Sequence, residues 1–124
     1  MGGGSGNGPA SSDSLHNNFQ KARDQFPTSP GGYFGTGKSG GKTRQIHSSE
    51  PLKTAEKMFK MLSKGGKVAK LPKPGAMTAV FKDGSRVNFR PTSGSDGSPV
   101  IEIAFPKPAS GVPAAQKIHF VKVK

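Results

Sequence analysis

Cysteine is absent from this 124-residue chain. No disulfide can staple it, and no thiolate can bind a metal or act as a nucleophile. The fold therefore works in reducing and oxidising surroundings alike, which suits a protein that crosses compartments. Acidic side chains are scarce: Asp13, Asp24, Glu50, Glu56, Asp83, Asp96 and Glu102 stand singly along the chain. A two-metal nuclease needs clustered carboxylates. His16, His47 and His119 are not at the short spacings that pair metal ligands. No metal site and no cofactor are expected. Apolar residues make up only 31% of the chain. No run approaches the roughly 18 apolar residues that span a bilayer, so no membrane insertion is expected. No charged-then-apolar leader is read in the opening residues.

Glycine and positive charge fill the gap. There are 18 glycines and 11 prolines, so long stretches must be loop or linker. Nineteen Lys and Arg face seven Asp and Glu, giving a net charge of +12 and an isoelectric point near 10.3. A small domain this basic seeks polyanions: nucleic acid first, then an anionic membrane or an acidic protein partner.

The length allows one modest domain. Residues 1–13 read as a flexible Gly/Ser linker and 14–124 as a single domain. Asp13 is a candidate cap for a helix whose stripe is Leu15, Phe19, Ala22 and Phe26, ended by Pro27. Residues 27–45 read as a Pro/Gly/Lys loop. A second helix starts at Ser49 or Glu50, with Pro51 in its first turn. It carries Leu52, Ala55, Met58, Phe59 and Leu62 on one face and stops at Gly65-Gly66. Beyond Gly66 the period changes to two. "KVAKL", "AMTAVF", "RVNFR", "PVIEIAF" and "KIHFVKV" are strand candidates, with Asp83-Gly84 turning a hairpin. The expected class is α+β: N-terminal helices on one face of a twisted, mainly antiparallel sheet of four to five strands.

One glycine stretch imitates a nucleotide site. Gly32, Gly37, Lys38 and Ser39 fit the phosphate-loop pattern G-x-x-x-x-G-K-[ST]. A working phosphate loop lies between a buried strand and a helix N-terminus. Here prolines precede it and Gly40-Gly41 follow it, so a mobile basic loop is the better reading. Lys38, Lys42 and Arg44 would grip a phosphate backbone there.

Strand alternation sorts the remaining chemistry by face. Val87, Phe89, Ile101, Ile103, Phe105, Ile118 and Phe120 form the apolar sets. With these buried under the helices, Arg90, Glu102 and His119 can share the open face. An imidazole can take or give a proton near neutral pH. A guanidinium holds charge developing on phosphate oxygens. That pair suits metal-free cleavage of RNA, with hydroxyls at Thr92, Ser93 or Ser95 adding hydrogen bonds. Bland readings stand beside each residue. His119 is equally a strand residue bonded to a neighbour, His47 a helix-capping residue, and Glu102 a base or only an ion-pair partner. A non-catalytic nucleic-acid-binding module and a metal-dependent DNase are the alternative functions.

The stretches "KTRQIHSSEPLKTAEKMFKML", "FKDGSRVNFRPTSGSDGSPVIEI" and "KIHFVK" resemble the C-terminal toxin domains of bacterial polymorphic and contact-dependent growth inhibition systems. Within these, the resemblance is to the ribonucleases grouped with barnase and the colicin tRNases, and it runs from about Leu15 to Lys124. It implies a small, metal-independent endoribonuclease, a monomer by itself, with transfer RNA among its candidate substrates. It also implies secretion at the end of a larger carrier, action in the target-cell cytoplasm, and a dedicated immunity protein, expected here to be acidic. His47, Arg90, His119 and a hydroxyl among Thr92, Ser93 and Ser95 are the positions that would inherit catalytic roles. The chain departs from barnase in lacking its paired acidic base and Trp-rich core.

Overall fold

Helix α1 spans Leu15–Gln25 in the computed structural model of the chain, which describes residues 14–37, 41–94, 96–107 and 111–123. The linker, Asp13, Lys38, Ser39, Ser95 and Lys124 lie outside the described residues. Ser14 caps α1: its hydroxyl accepts from the Asn17 N–H at 3.0 Å. The inward stripe is Leu15, Asn18, Phe19 and Ala22. Asn18 is sealed among apolar groups because its amide donates to the carbonyls of Leu62 and Lys64, both at 2.8 Å. It thereby satisfies carbonyls that the end of the second helix leaves open.

Helix α2, Pro51–Leu62, starts with Pro51 where its missing N–H costs nothing. Glu50 is its N-cap and makes no side-chain capping bond; the side-chain hydrogen bonds at this end come from Ser48, not His47. The Ser48 hydroxyl accepts from the Glu50 N–H at 3.0 Å and bonds the Thr54 hydroxyl at 2.6 Å. Ala55, Met58, Phe59 and Leu62 are buried. Leu52, expected in the same stripe, is 44% exposed, since burial begins only after the first turn.

Among the described residues the strands number six: β1 Thr43–Ser48, β2 Lys67–Lys70, β3 Met77–Val80, β4 Arg86–Arg90, β5 Val100–Ala104 and β6 Ala115–Lys122. Their order across one open sheet is β1-β6-β5-β4-β3-β2, antiparallel throughout except for the parallel β1–β6 edge. The fold class is α+β. The expectation of four to five strands misses β1, whose residues fall partly in the stretch read as loop. That strand also separates the two helices in chain order, so the helices do not both precede the sheet.

Both helices pack on one face of the sheet. There Ile46, Ala79, Val87, Phe89, Ile101, Ile103, Ile118 and Phe120 meet Leu15, Phe19, Met58, Phe59 and Leu62 in one core. The glycine stretch is closed on itself by the bridge Thr28↔Phe34 and tied to the sheet edge by the bridge Thr36↔Gln45. It leads into a strand, where a phosphate loop would lead into a helix. No helix of the described residues is long and apolar enough to cross a membrane.

Candidate active face of the sheet

Side chains directly opposite each other on paired strands share a face. Two rows therefore cross the uncovered side. One is Arg90, Val100, His119 and Gln45, on β4, β5, β6 and β1; the next is Asn88, Glu102, Lys117 and Thr43. Strand spacing puts the Cα atoms of Arg90 and His119 about 10 Å apart, with Val100 between them. His47 lies on the same face of β1, opposite Val121, one diagonal step from His119 and roughly 8 Å away between Cα atoms. Arg90, Glu102, His119 and His47 thus share the face that the helices leave open, and His47 is exposed on it.

His119 differs from a bare strand residue. It is 6% exposed, because the loop between β4 and β5 folds over it. Its Nδ1 bonds the Ser98 hydroxyl at 2.8 Å and lies 3.5 Å from a carboxylate oxygen of Asp96. The same Asp96 oxygen accepts from the Ser93 hydroxyl at 2.7 Å, and from the Ser98 N–H at 3.0 Å and hydroxyl at 2.5 Å. Those hydrogen bonds, the Ser98 hydroxyl foremost, hold the Asp96 carboxyl well below the usual carboxylate range. Among the described residues, the sole sealed polar side-chain atom without a partner is Asn18 Oδ1. His119 Nε2 is not among such atoms, although the side chain as a whole is only 8% exposed. The ring is tethered at Nδ1, and among the described residues Nε2 has no hydrogen-bond partner.

This geometry sorts the expected hydroxyls. Ser93 is buried and committed to Asp96, so it builds the loop and does not offer its hydroxyl to a ligand. Thr92 is exposed on that loop. The hydroxyl that meets His119 is Ser98, which periodicity did not single out. Its signal was the Asp-Gly-Ser turn, in which a carboxylate bonds the N–H two residues on.

Arg90 is half-buried. Its Nη2 donates to Glu102 Oε1 at 3.3 Å, a pair with side chains 24% and 44% exposed. Such a pair contributes on the order of 0–1 kcal/mol to stability; its greater effect is to hold the guanidinium over the row. Glu102 is thus an ion-pair partner, as one of its two readings had it.

Arg44 does not serve the phosphate-gripping role expected of it. It points to the helix side of β1, is 5% exposed, and donates from Nε to Phe34 O at 3.0 Å and from Nη2 to Gly35 O at 3.2 Å. Its guanidinium also lies over the Tyr33 ring, 5.3 Å from the centroid. It pins the glycine segment to the sheet edge. Lys42 is exposed at the rim of the open face. Beside it a groove of ≈ 320 Å³ runs between Lys42, Arg86, Asn88, Glu102 and Lys117.

No group of three or more His, Asp or Glu that could hold a metal ion occurs among the described residues. No family model, curated protein or solved structure matches the chain.

Proposed function

We propose that this chain is a metal-independent endoribonuclease toxin domain of interbacterial competition. It would be secreted as the C-terminal part of a larger carrier, act in the target-cell cytoplasm and be blocked by an acidic immunity protein. One observation carries the catalytic reading: a guanidinium and an imidazole tethered at Nδ1 stand in one row on the sheet face that the helices leave uncovered.

The chemistry follows from those groups. A phosphodiester laid across the row meets Arg90 with its non-bridging oxygens. One imidazole removes the 2′-OH proton, and the 2′-oxygen attacks phosphorus. Arg90 holds the charge that develops on the phosphorane. The other imidazole gives a proton to the departing 5′-oxygen. The P–O5′ bond breaks, leaving a 2′,3′-cyclic phosphate and a 5′-hydroxyl. His119 and His47 divide the two proton transfers. Asp96 and Ser98 fix the His119 ring so that Nε2 faces the substrate. Lys42, Arg86 and Lys117 supply attraction for the RNA backbone.

A module that only binds nucleic acid would use the same charge. Modules of that kind stack bases on aromatic side chains of the sheet, whereas Phe89, Phe105 and Phe120 are all in the core. Expression in bacteria without an immunity protein separates the two readings. The wild-type domain should arrest growth, and Arg90→Ala or His119→Ala should restore it. Unimpaired growth with soluble wild-type protein supports the binding module instead.

A further inference from the structure

Beside the Arg90–His119 row, the groove has a floor whose polar pattern is specific. Three side chains cross it in register on adjacent strands: Asn88, Glu102 and Lys117. The Thr78 hydroxyl donates to Asn88 Oδ1 at 2.5 Å, so the oxygen is taken and the amide N–H groups are what Asn88 has left to offer a ligand in the groove it lines. Arg90 occupies Oε1 of Glu102, and among the described residues nothing engages Oε2, which remains an acceptor. Lys117 is a donor by chemistry. Across the floor the order is donor, acceptor, donor.

We propose that this groove is a uracil-selecting subsite for the nucleotide next to the scissile phosphate. The placement beside a scissile bond rests on the ribonuclease reading; the base preference does not. Single-stranded bases are read on their Watson–Crick edges. Uracil presents O4, N3–H and O2 there: acceptor, donor, acceptor, the complement of the floor. Cytosine presents donor, acceptor, acceptor and sets its N3 against the Glu102 carboxylate. Guanine presents acceptor, donor, donor and sets its amino group against the Lys117 ammonium. Adenine lacks a central N–H. Each mismatch leaves a partly buried polar group facing its like, which is what makes hydrogen-bonded pockets discriminate.

The position suits the role. The Asn88–Glu102–Lys117 row is two residues along the strands from the Arg90–His119 row, about 7 Å, a span one nucleotide bridges. Lys42 and Arg86 stand at the rim, where the next phosphate would emerge. The groove volume of ≈ 320 Å³ is at the small end of ligand pockets, fitting one base and not a stacked pair.

The test is a titration of the intact chain with each of the four nucleoside 3′-monophosphates and with 3-methyluridine 3′-monophosphate, followed by the backbone amide signals of Asn88, Glu102 and Lys117. Uridine 3′-monophosphate should bind about tenfold more tightly than the cytidine nucleotide. Methylation at N3 should abolish that preference, and Glu102→Gln should reduce it to within about twofold. Equal binding of all four nucleotides, or no shift of these amides up to about 10 mM ligand, overturns the subsite. Sequenced RNA ends separate the two claims. Selective uridine binding without any RNA cleavage leaves the subsite standing and removes the ribonuclease. Cleavage with no uridine enrichment at either neighbour of the cut removes the subsite and leaves the ribonuclease.

Discussion

Asp96 is the acid on which the orientation of His119 turns. Its one oxygen gathers the Ser93 hydroxyl, the Ser98 hydroxyl and the Ser98 N–H, and three donors on one oxygen favour the ionised carboxylate over the neutral acid. Its native value therefore lies below the 3.8 at which the unfolded group titrates. Between the two values the unfolded chain binds more protons, so stability rises with pH across that window. The contribution is complete above about pH 5 and is lost as the pH falls through the native value. Asp83, bonded by Ser85 and faced by His16, shifts in the same direction. Thermal melts between about pH 2.5 and 6 should show wild-type stability falling on acidification. Asp96→Asn should flatten part of that slope and lower activity by positioning His119 less well, an effect of roughly tenfold by analogy with other orienting partners. Unchanged slope and activity would remove Asp96 from this role. At this scale the strand residues were readable: alternation assigned Arg90, Glu102 and His119 to one face. Ser98 and Asp96 were not, because they act from a loop, where no period says which side chain points where.

At the scale of elements, β1 was the least legible. In "TRQIHS" the outward positions are Thr43, Gln45 and His47, and the inward ones are Arg44 and Ile46. A cation in a core position hides the apolar alternation that marked the other strands. Arg44 is tolerated there because backbone carbonyls of the glycine segment meet its guanidinium. The helices were legible from spacing alone, as were the hairpin at Asp83-Gly84 and the core sets of β4, β5 and β6. The parallel β1–β6 edge was not, since pairing across about 70 residues leaves no local trace. Without this edge His47 would not stand beside His119. Gly35 protects it: φ is +63°, and a Cβ there would lie 2.0 Å from Gln45 O, the carbonyl bonded by Thr36 N–H. Gly35→Ala should cost on the order of 1–3 kcal/mol in denaturant melts and weaken amide protection of Thr36 and Gln45. A variant as stable as wild type would show that the segment does not anchor β1.

At the scale of the whole molecule, layers divide the labour. Apolar surface faces two helices on one side of the sheet, and charge collects on the other. A net charge of +12 would make any polyanion a partner; the proposed function takes the tethered imidazole and held guanidinium as the groups that would act on one. The basic bias was legible from composition, whereas the row joining β4 to β6 needed the register of three strands. The most direct test is incubation of the purified domain with total RNA in excess EDTA, with mass analysis of the new ends. The account predicts cleavage without added metal, 2′,3′-cyclic phosphate and 5′-hydroxyl termini, and losses of about 10²-fold or more in His119→Ala and Arg90→Ala. Cleavage that requires Mg²⁺, or full activity in either variant, would contradict it.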